Sequence, residues 1–247
     1  MPDDYGLYID KLYLSHYRFL SLFLSLFSRL RLCPACFICG LLRLLFGLFL
    51  GLLSVAVGAV FMVRQTDYKR LLAYSSVEHI GLITVLYSLY STSASQKLVM
   101  AAILLHIAAH SLTKTMLFQL AGNLLLAFQT RAISVVQGLG EVMKKEAALW
   151  VSGFILICGM PPSALFLSEL GLVFSAPIYV SVIVLVLLFV VFAAMMKAAL
   201  NMTMGKPLAH YNKLPKRLII VPGILFVMIV AGGTIASAYI LIFGGVK

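Results

Sequence analysis

Long apolar runs separated by short polar breaks recur along the chain. The runs at about 41–63, 71–91, 98–127, 147–176, 178–200 and 218–243 each approach or exceed the ~20 residues that carry an α-helix across the hydrocarbon layer. They predict an all-α, polytopic bundle of about six spans. A shorter run, LSHYRFLSLFLSLF at 14–27, is followed by Arg29 and Arg31 and predicts either a seventh, weak span or an interfacial helix. It does not read as a secretory signal, because a charged, tyrosine-rich stretch precedes it and no small-residue cleavage site follows. Residues 1–40 therefore form an atypical N-terminal segment, and 41–247 a transmembrane domain.

Composition fits this pattern. Apolar residues make up 62% of the 247, charged residues 11%, and the mean hydropathy is +1.07, whereas a soluble domain carries roughly 25% charged residues. The net charge of +11 would suit a nucleic-acid partner were it not so unevenly placed. Arg64, Lys69 and Arg70 fall at the first connection, Arg131, Lys144 and Lys145 at the third, and Lys206, Lys213, Lys216 and Arg217 at the fifth. The second holds Lys97, the fourth none, and the tail Lys247. Alternate basic loops predict that the odd connections are cytoplasmic and the C-terminus lies outside a cell membrane. The charge reports topology, so no nucleic-acid partner is expected.

CPACFIC, residues 33–39, spaces Cys33, Cys36 and Cys39 as iron–sulfur ligands are spaced in ferredoxins. A fourth cysteine is missing nearby, and Cys158 lies in a distant apolar run. Three thiols in a membrane-adjacent segment is the plainer reading.

Candidate chemistry lies in three polar interruptions of the spans. In HIAAHSLTK, residues 106–114, successive four-residue steps turn a helix by about 400°, so His106, His110 and Lys114 form a ridge about 12 Å long on one face. Ionisable groups at membrane depth cost ~2.5–3.5 kcal/mol each on the insertion scale and usually face a bundle interior or a hydrated path. Neutral histidines can also serve only as hydrogen bonds between helices, but two histidines and a lysine in line read as a proton relay.

TDYKRLLAYSSVEHIG, residues 66–81, sets Asp67, Lys69 and Arg70 at a helix boundary and Ser75, Ser76, Glu78 and His79 deeper. Lys69 and Arg70 can act as interfacial anchors. Glu78 and His79, being adjacent, point about 100° apart, so at most one is expected to share a path with Lys69. In GMPPSALFLSELGL, residues 159–172, Pro161 and Pro162 remove two backbone donors and predict a broken helix. Such breaks persist where protein or water satisfies the freed carbonyls. Glu169 follows as the carboxylate of the apolar second half, since Glu141 and Glu146 belong to the basic third loop. A glutamate beside a break at membrane depth is an ion or proton site by default.

TDYKRLLAYSSVEHIG, HIAAHSLTKTMLFQLAG and GMPPSALFLSE, in this order, resemble the antiporter-like membrane subunits shared by respiratory complex I, membrane-bound nickel–iron hydrogenases and related sulfur reductases, and multisubunit cation/proton antiporters. The resemblance runs from about 41 to the end and is to a half-length form, similar to the second of the family's two inverted repeats. AYSSVEHIG with Glu169 is most similar to the hydrogenase and sulfur-reductase branch. The resemblance departs at residues 14–40, which contain no lysine where the family's first broken helix carries one.

The resemblance implies a proton- or cation-translocating accessory subunit of a redox-linked complex, non-catalytic and without a cofactor of its own. It implies iron–sulfur clusters in partner subunits, and other antiporter-like and hydrogenase-like subunits as neighbours in the bilayer. Lys69 matches the family's D-x-K-R motif, His106, His110 and Lys114 the hydrophilic axis, and Glu169 the ionisable residue after the broken helix; with His79 these make the expected pathway. Two other readings remain: a non-pumping structural spacer, and a subunit of a cation/proton antiporter. Sodium exchange would want a cluster of oxygen ligands, and the sequence offers Glu169 with scattered Ser and Thr.

Overall fold

The computed structural model describes residues 37–90, 96–207, 211–212 and 214–243, with side chains from residue 44 to 238 except that of Lys216. The candidate span at 14–27 and Cys33 and Cys36 lie outside these residues, and Cys39 falls where only the backbone is described.

Helices α1 (Phe37–Val63), α2 (Tyr68–Leu89) and α3 (Gln96–Phe128) come first, followed by a short α4 (Leu139–Val142). Then come α5 (Lys144–Ile157), α6 (Ala164–Ser175), α7 (Ile178–Thr203), a 3₁₀ turn (Lys216–Ile219) and α8 (Ile220–Phe243). Among the described residues, five helices are long and apolar enough to cross a membrane. The predicted span at 147–176 is instead the pair α5 and α6, each about 20 Å long and so shorter than the ~30 Å hydrocarbon core. The chain is a multi-pass membrane protein, and the spans follow the apolar runs closely.

Within residues 47–247, α3 is the central helix and packs against α2, α5, α6 and α8. Trp150 of α5 is buried against Tyr68 of α2, ring edge to face at 5.8 Å, and against Phe154 at 4.9 Å. Gly153 lets α5 approach α3: a Cβ there would lie 2.6 Å from Leu117 Cδ2. Gly51 and Gly58 of α1 do the same toward α2, where added Cβ atoms would meet Val85 and Glu78. Outward faces of α1, α7 and α8 carry Phe49, Val60, Phe189, Val186 and Val227, all exposed, as a lipid-facing or subunit-facing surface demands.

The odd connections are knit together at one end. Asp67 and Ala132 form an isolated antiparallel bridge, with Tyr68 N donating to Arg131 O at 3.2 Å and Ile133 N to Thr66 O at 2.9 Å. Gly138 N donates to Met204 O at 3.2 Å, and Asn212 N to Ala127 O at 2.9 Å. The first, third and fifth loops therefore share a face, as the alternation of basic residues requires.

Candidate functional site

Asp67 starts the first contributing helix. Its Oδ1 accepts from Lys69 N at 2.8 Å and Arg70 N at 3.2 Å, an N-cap that fixes the register of α2. Ser75, Ser76, Glu78 and His79 then fall inside the bundle. On α3, His106 and Lys114 are buried and His110 is half-buried, and α6 adds buried Ser168 and Glu169.

The break between α5 and α6 is built from two caps. Gly159, at φ 66°, ends α5 in a Schellman turn: Met160 N donates to Ile155 O and Gly159 N to Leu156 O, each at 3.3 Å, the paired bonds of that motif. Ser163 then opens α6, its Oγ accepting from Leu165 N at 3.1 Å. Pro161 and Pro162, joined by a cis peptide bond, occupy the linker between the caps. The helix thus ends before the prolines, because Gly159 supplies the left-handed residue that the turn needs. The carboxyl of Glu169 lies directly against Gly159, and a Cβ at that position would fall within it.

The three helices bring the polar residues together. His79 Nδ1 lies 3.1 Å from His106 Nε2, and His106 Nδ1 lies 2.8 Å from Ser168 Oγ. The His79 ring also packs on His110, with centroids 4.5 Å apart, while His106 and His110 are near parallel at 6.4 Å. Toward the other end of the ridge, Lys114 Nζ donates to Ser75 Oγ at 2.5 Å and to the Leu72 carbonyl, and sits 5.9 Å from the centre of the Phe118 ring.

Of the expected residues, His79, His106, His110, Lys114 and Glu169 gather on the facing sides of α2, α3 and α6. Lys69 stands at the boundary beside Asp67 and Arg131, about 15 Å along α2 from His79. Glu78 and His79 leave α2 about 100° apart, yet Glu78 Oε2 comes within 3.5 Å of His79 Nε2. Glu78 is backed by α1 at Gly58 and His79 faces α3. Ser168 and Gly159 were not singled out by sequence reasoning. Ser168 offered only a hydroxyl in an apolar helix, and Gly159 a glycine before two prolines. Among the described residues, no group of three or more His, Cys, Asp or Glu side chains is placed to hold a metal ion.

A family model described as NADH:quinone oxidoreductase/Mrp antiporter, transmembrane, matches residues 22–197. The chain belongs to this antiporter family. The matched stretch contains all three polar motifs and begins inside the 1–40 segment. The chain is 35% identical over 127 residues to a hydrogenase-4 component F homolog of Methylacidiphilum infernorum, covering 51% of this chain and 26% of that one. It is 33% identical over 154 residues to NADH-quinone oxidoreductase subunit M of Escherichia coli, covering 62% and 29%. Respiratory complex I of Thermus thermophilus contains a chain of similar fold, with a TM-score of 0.73 at 21% identity over 87% of this chain and 46% of that one. The antiporter-family chain described here thus spans under half the length of these relatives.

Proposed function

We propose that this chain is a proton-translocating accessory membrane subunit of a multisubunit, redox-linked complex, itself free of cofactors. The observation that carries the reading is the buried line His79–His106–Ser168, with contacts of 3.1 and 2.8 Å; Glu169 is the next residue on the same helix, its carboxyl against Gly159 at the helix break. Membership of a family whose model is described as quinone oxidoreductase and antiporter supports it.

The line can hold its hydrogens in two orders, because a neutral imidazole donates at one nitrogen and accepts at the other. In the first, Ser168 donates to the Leu165 carbonyl, 2.7 Å away, His106 Nδ1–H donates to Ser168 Oγ, and His79 Nδ1–H donates to His106 Nε2. In the second, every hydrogen has moved one step: His79 carries its proton on Nε2, His106 on Nε2, and Ser168 donates to His106 Nδ1. A proton arriving at His79 Nε2 converts the first order into the second and expels one proton from Ser168, next to Glu169. Histidine suits this role because its two ring nitrogens let it accept a proton at one as it donates at the other while staying neutral.

Lys114 and His110 extend the line toward the end where the odd loops lie, and Lys69 marks the boundary at which protons exchange with that side. The odd loops are cytoplasmic in this reading, the C-terminus is outside, and the membrane is the cell membrane, following the basic-loop alternation. Iron–sulfur clusters belong to partner subunits, and other antiporter-like and hydrogenase-like subunits are the neighbours. A spacer that pumps nothing is the competing reading. Glu169→Gln and Lys114→Ala decide between them, measured as protons moved per turnover by the purified parent complex in proteoliposomes. Translocation predicts normal assembly with a several-fold lower count; a spacer predicts no change.

A further inference from the structure

Glu78 is buried beside this line, and the proton order described above gives it no task. It is 1% exposed, and among the described residues neither carboxyl oxygen has a hydrogen-bond partner. Its Oε2 lies 3.5 Å from His79 Nε2, beyond hydrogen-bond length but the nearest approach of a carboxyl to that edge of the ring. It lies within electrostatic reach of both Lys114 and Glu169. Behind it, Gly58 removes the side chain that would press on it: a Cβ there would lie 2.8 Å from Glu78 Cβ and 3.2 Å from its Cα and N.

A side chain that makes no hydrogen bond adds nothing polar to the fold, and an acid is costly to bury in that condition. Its position is informative nonetheless. The histidine pair runs from His79 to His106 to Ser168, and each end of that run has a carboxyl on the adjacent residue of its own helix. Glu78 adjoins His79 on α2, and Glu169 adjoins Ser168 on α6. Among the described residues Glu169 Oε1 also lacks a hydrogen-bond partner, so each acid has an oxygen that none of them holds.

We infer that Glu78 is the second carboxyl terminus of the relay, loading protons onto His79 Nε2 as Glu169 receives them beside Ser168. The inference rests on the translocation reading and names the donor which that reading lacks. The transfer balances. The Glu78 O–H bond breaks as the His79 Nε2–H bond forms. The Nδ1 proton of His79 passes to His106 Nε2, that of His106 Nδ1 to Ser168 Oγ, and the Ser168 hydroxyl proton to the Glu169 carboxylate. One glutamic acid becomes a carboxylate, the other carboxylate becomes an acid, and no electrons move. Lys114, near Glu78, offsets the negative charge left there.

The test compares Glu78→Gln, Glu78→Asp and Glu169→Gln in the intact complex, reading protons per turnover and the carboxylic C=O stretch in turnover-linked infrared difference spectra. The inference predicts that Glu78→Gln lowers the proton count several-fold and removes one carboxylic band, while Glu78→Asp shifts that band and restores part of the count. Parent-like counts in Glu78→Gln alongside a loss in Glu169→Gln would overturn the role of Glu78 and leave translocation standing. Parent-like counts in both would remove the translocation reading itself. Should Glu78→Gln fail to assemble, the Glu78→Asp spectrum decides: a moved band supports the inference, and an unmoved one overturns it.

Discussion

Gly159 links the helix break to the proton site through one missing methyl group. Its positive φ closes α5, and its bare Cα leaves room for the Glu169 carboxyl. Gly159→Ala should cost about 1–2 kcal/mol for the left-handed backbone and displace the carboxyl as well. The expected result is an assembled complex with a lower melting temperature and a several-fold lower proton count. A variant that melts earlier but pumps normally would separate the cap from the chemistry. His106, His110, Lys114 and Glu169 were legible because ionisable residues in an apolar run stand out, and a four-residue step fixes their shared face. Ser168 and Gly159 were not, since their roles arise from contacts across 62 and 10 positions of sequence, and neither residue type is costly in a membrane helix.

At the scale of elements, α5 and α6 are short helices held by caps and packing rather than by length. Ser163 supplies the cap of the helix that carries Ser168 and Glu169, so Ser163→Ala should cost about 1 kcal/mol, read as a lower melting temperature. Trp150 anchors α5 against Tyr68 and Phe154; truncation to alanine should cost about 3–5 kcal/mol, a larger fall by the same measurement. Apolar periodicity placed the helices to within a few residues. The position of the break was less legible. Two prolines signal that a helix cannot continue, but the helix stops at Ile157, where the glycine turn satisfies its last carbonyls. Packing of α3 against four neighbours was not legible either, because α3 is apolar around much of its circumference and its sequence does not say which face meets which helix.

For the molecule as a whole, the charge pattern and the structure agree on which loops share a side. Loop-to-loop hydrogen bonds tie 66–68 to 131–133, and 138 to 204, an arrangement possible only if those connections emerge together. With the four native cysteines replaced, Arg64→Cys and Lys206→Cys should label from the same face, which the proposed topology makes the cytoplasmic one and sets opposite to a C-terminal tag. Labelling of the two positions from opposite faces would contradict the topology. The central claim is that protons pass along His79, His106 and Ser168 to Glu169. Ser168→Ala tests it most directly, because it removes one oxygen from the middle of the line, changes no charge, and frees less room than the ~30 Å³ a water occupies. Protons moved per turnover by the assembled complex should fall several-fold in this variant; a count equal to that of the parent would contradict the account.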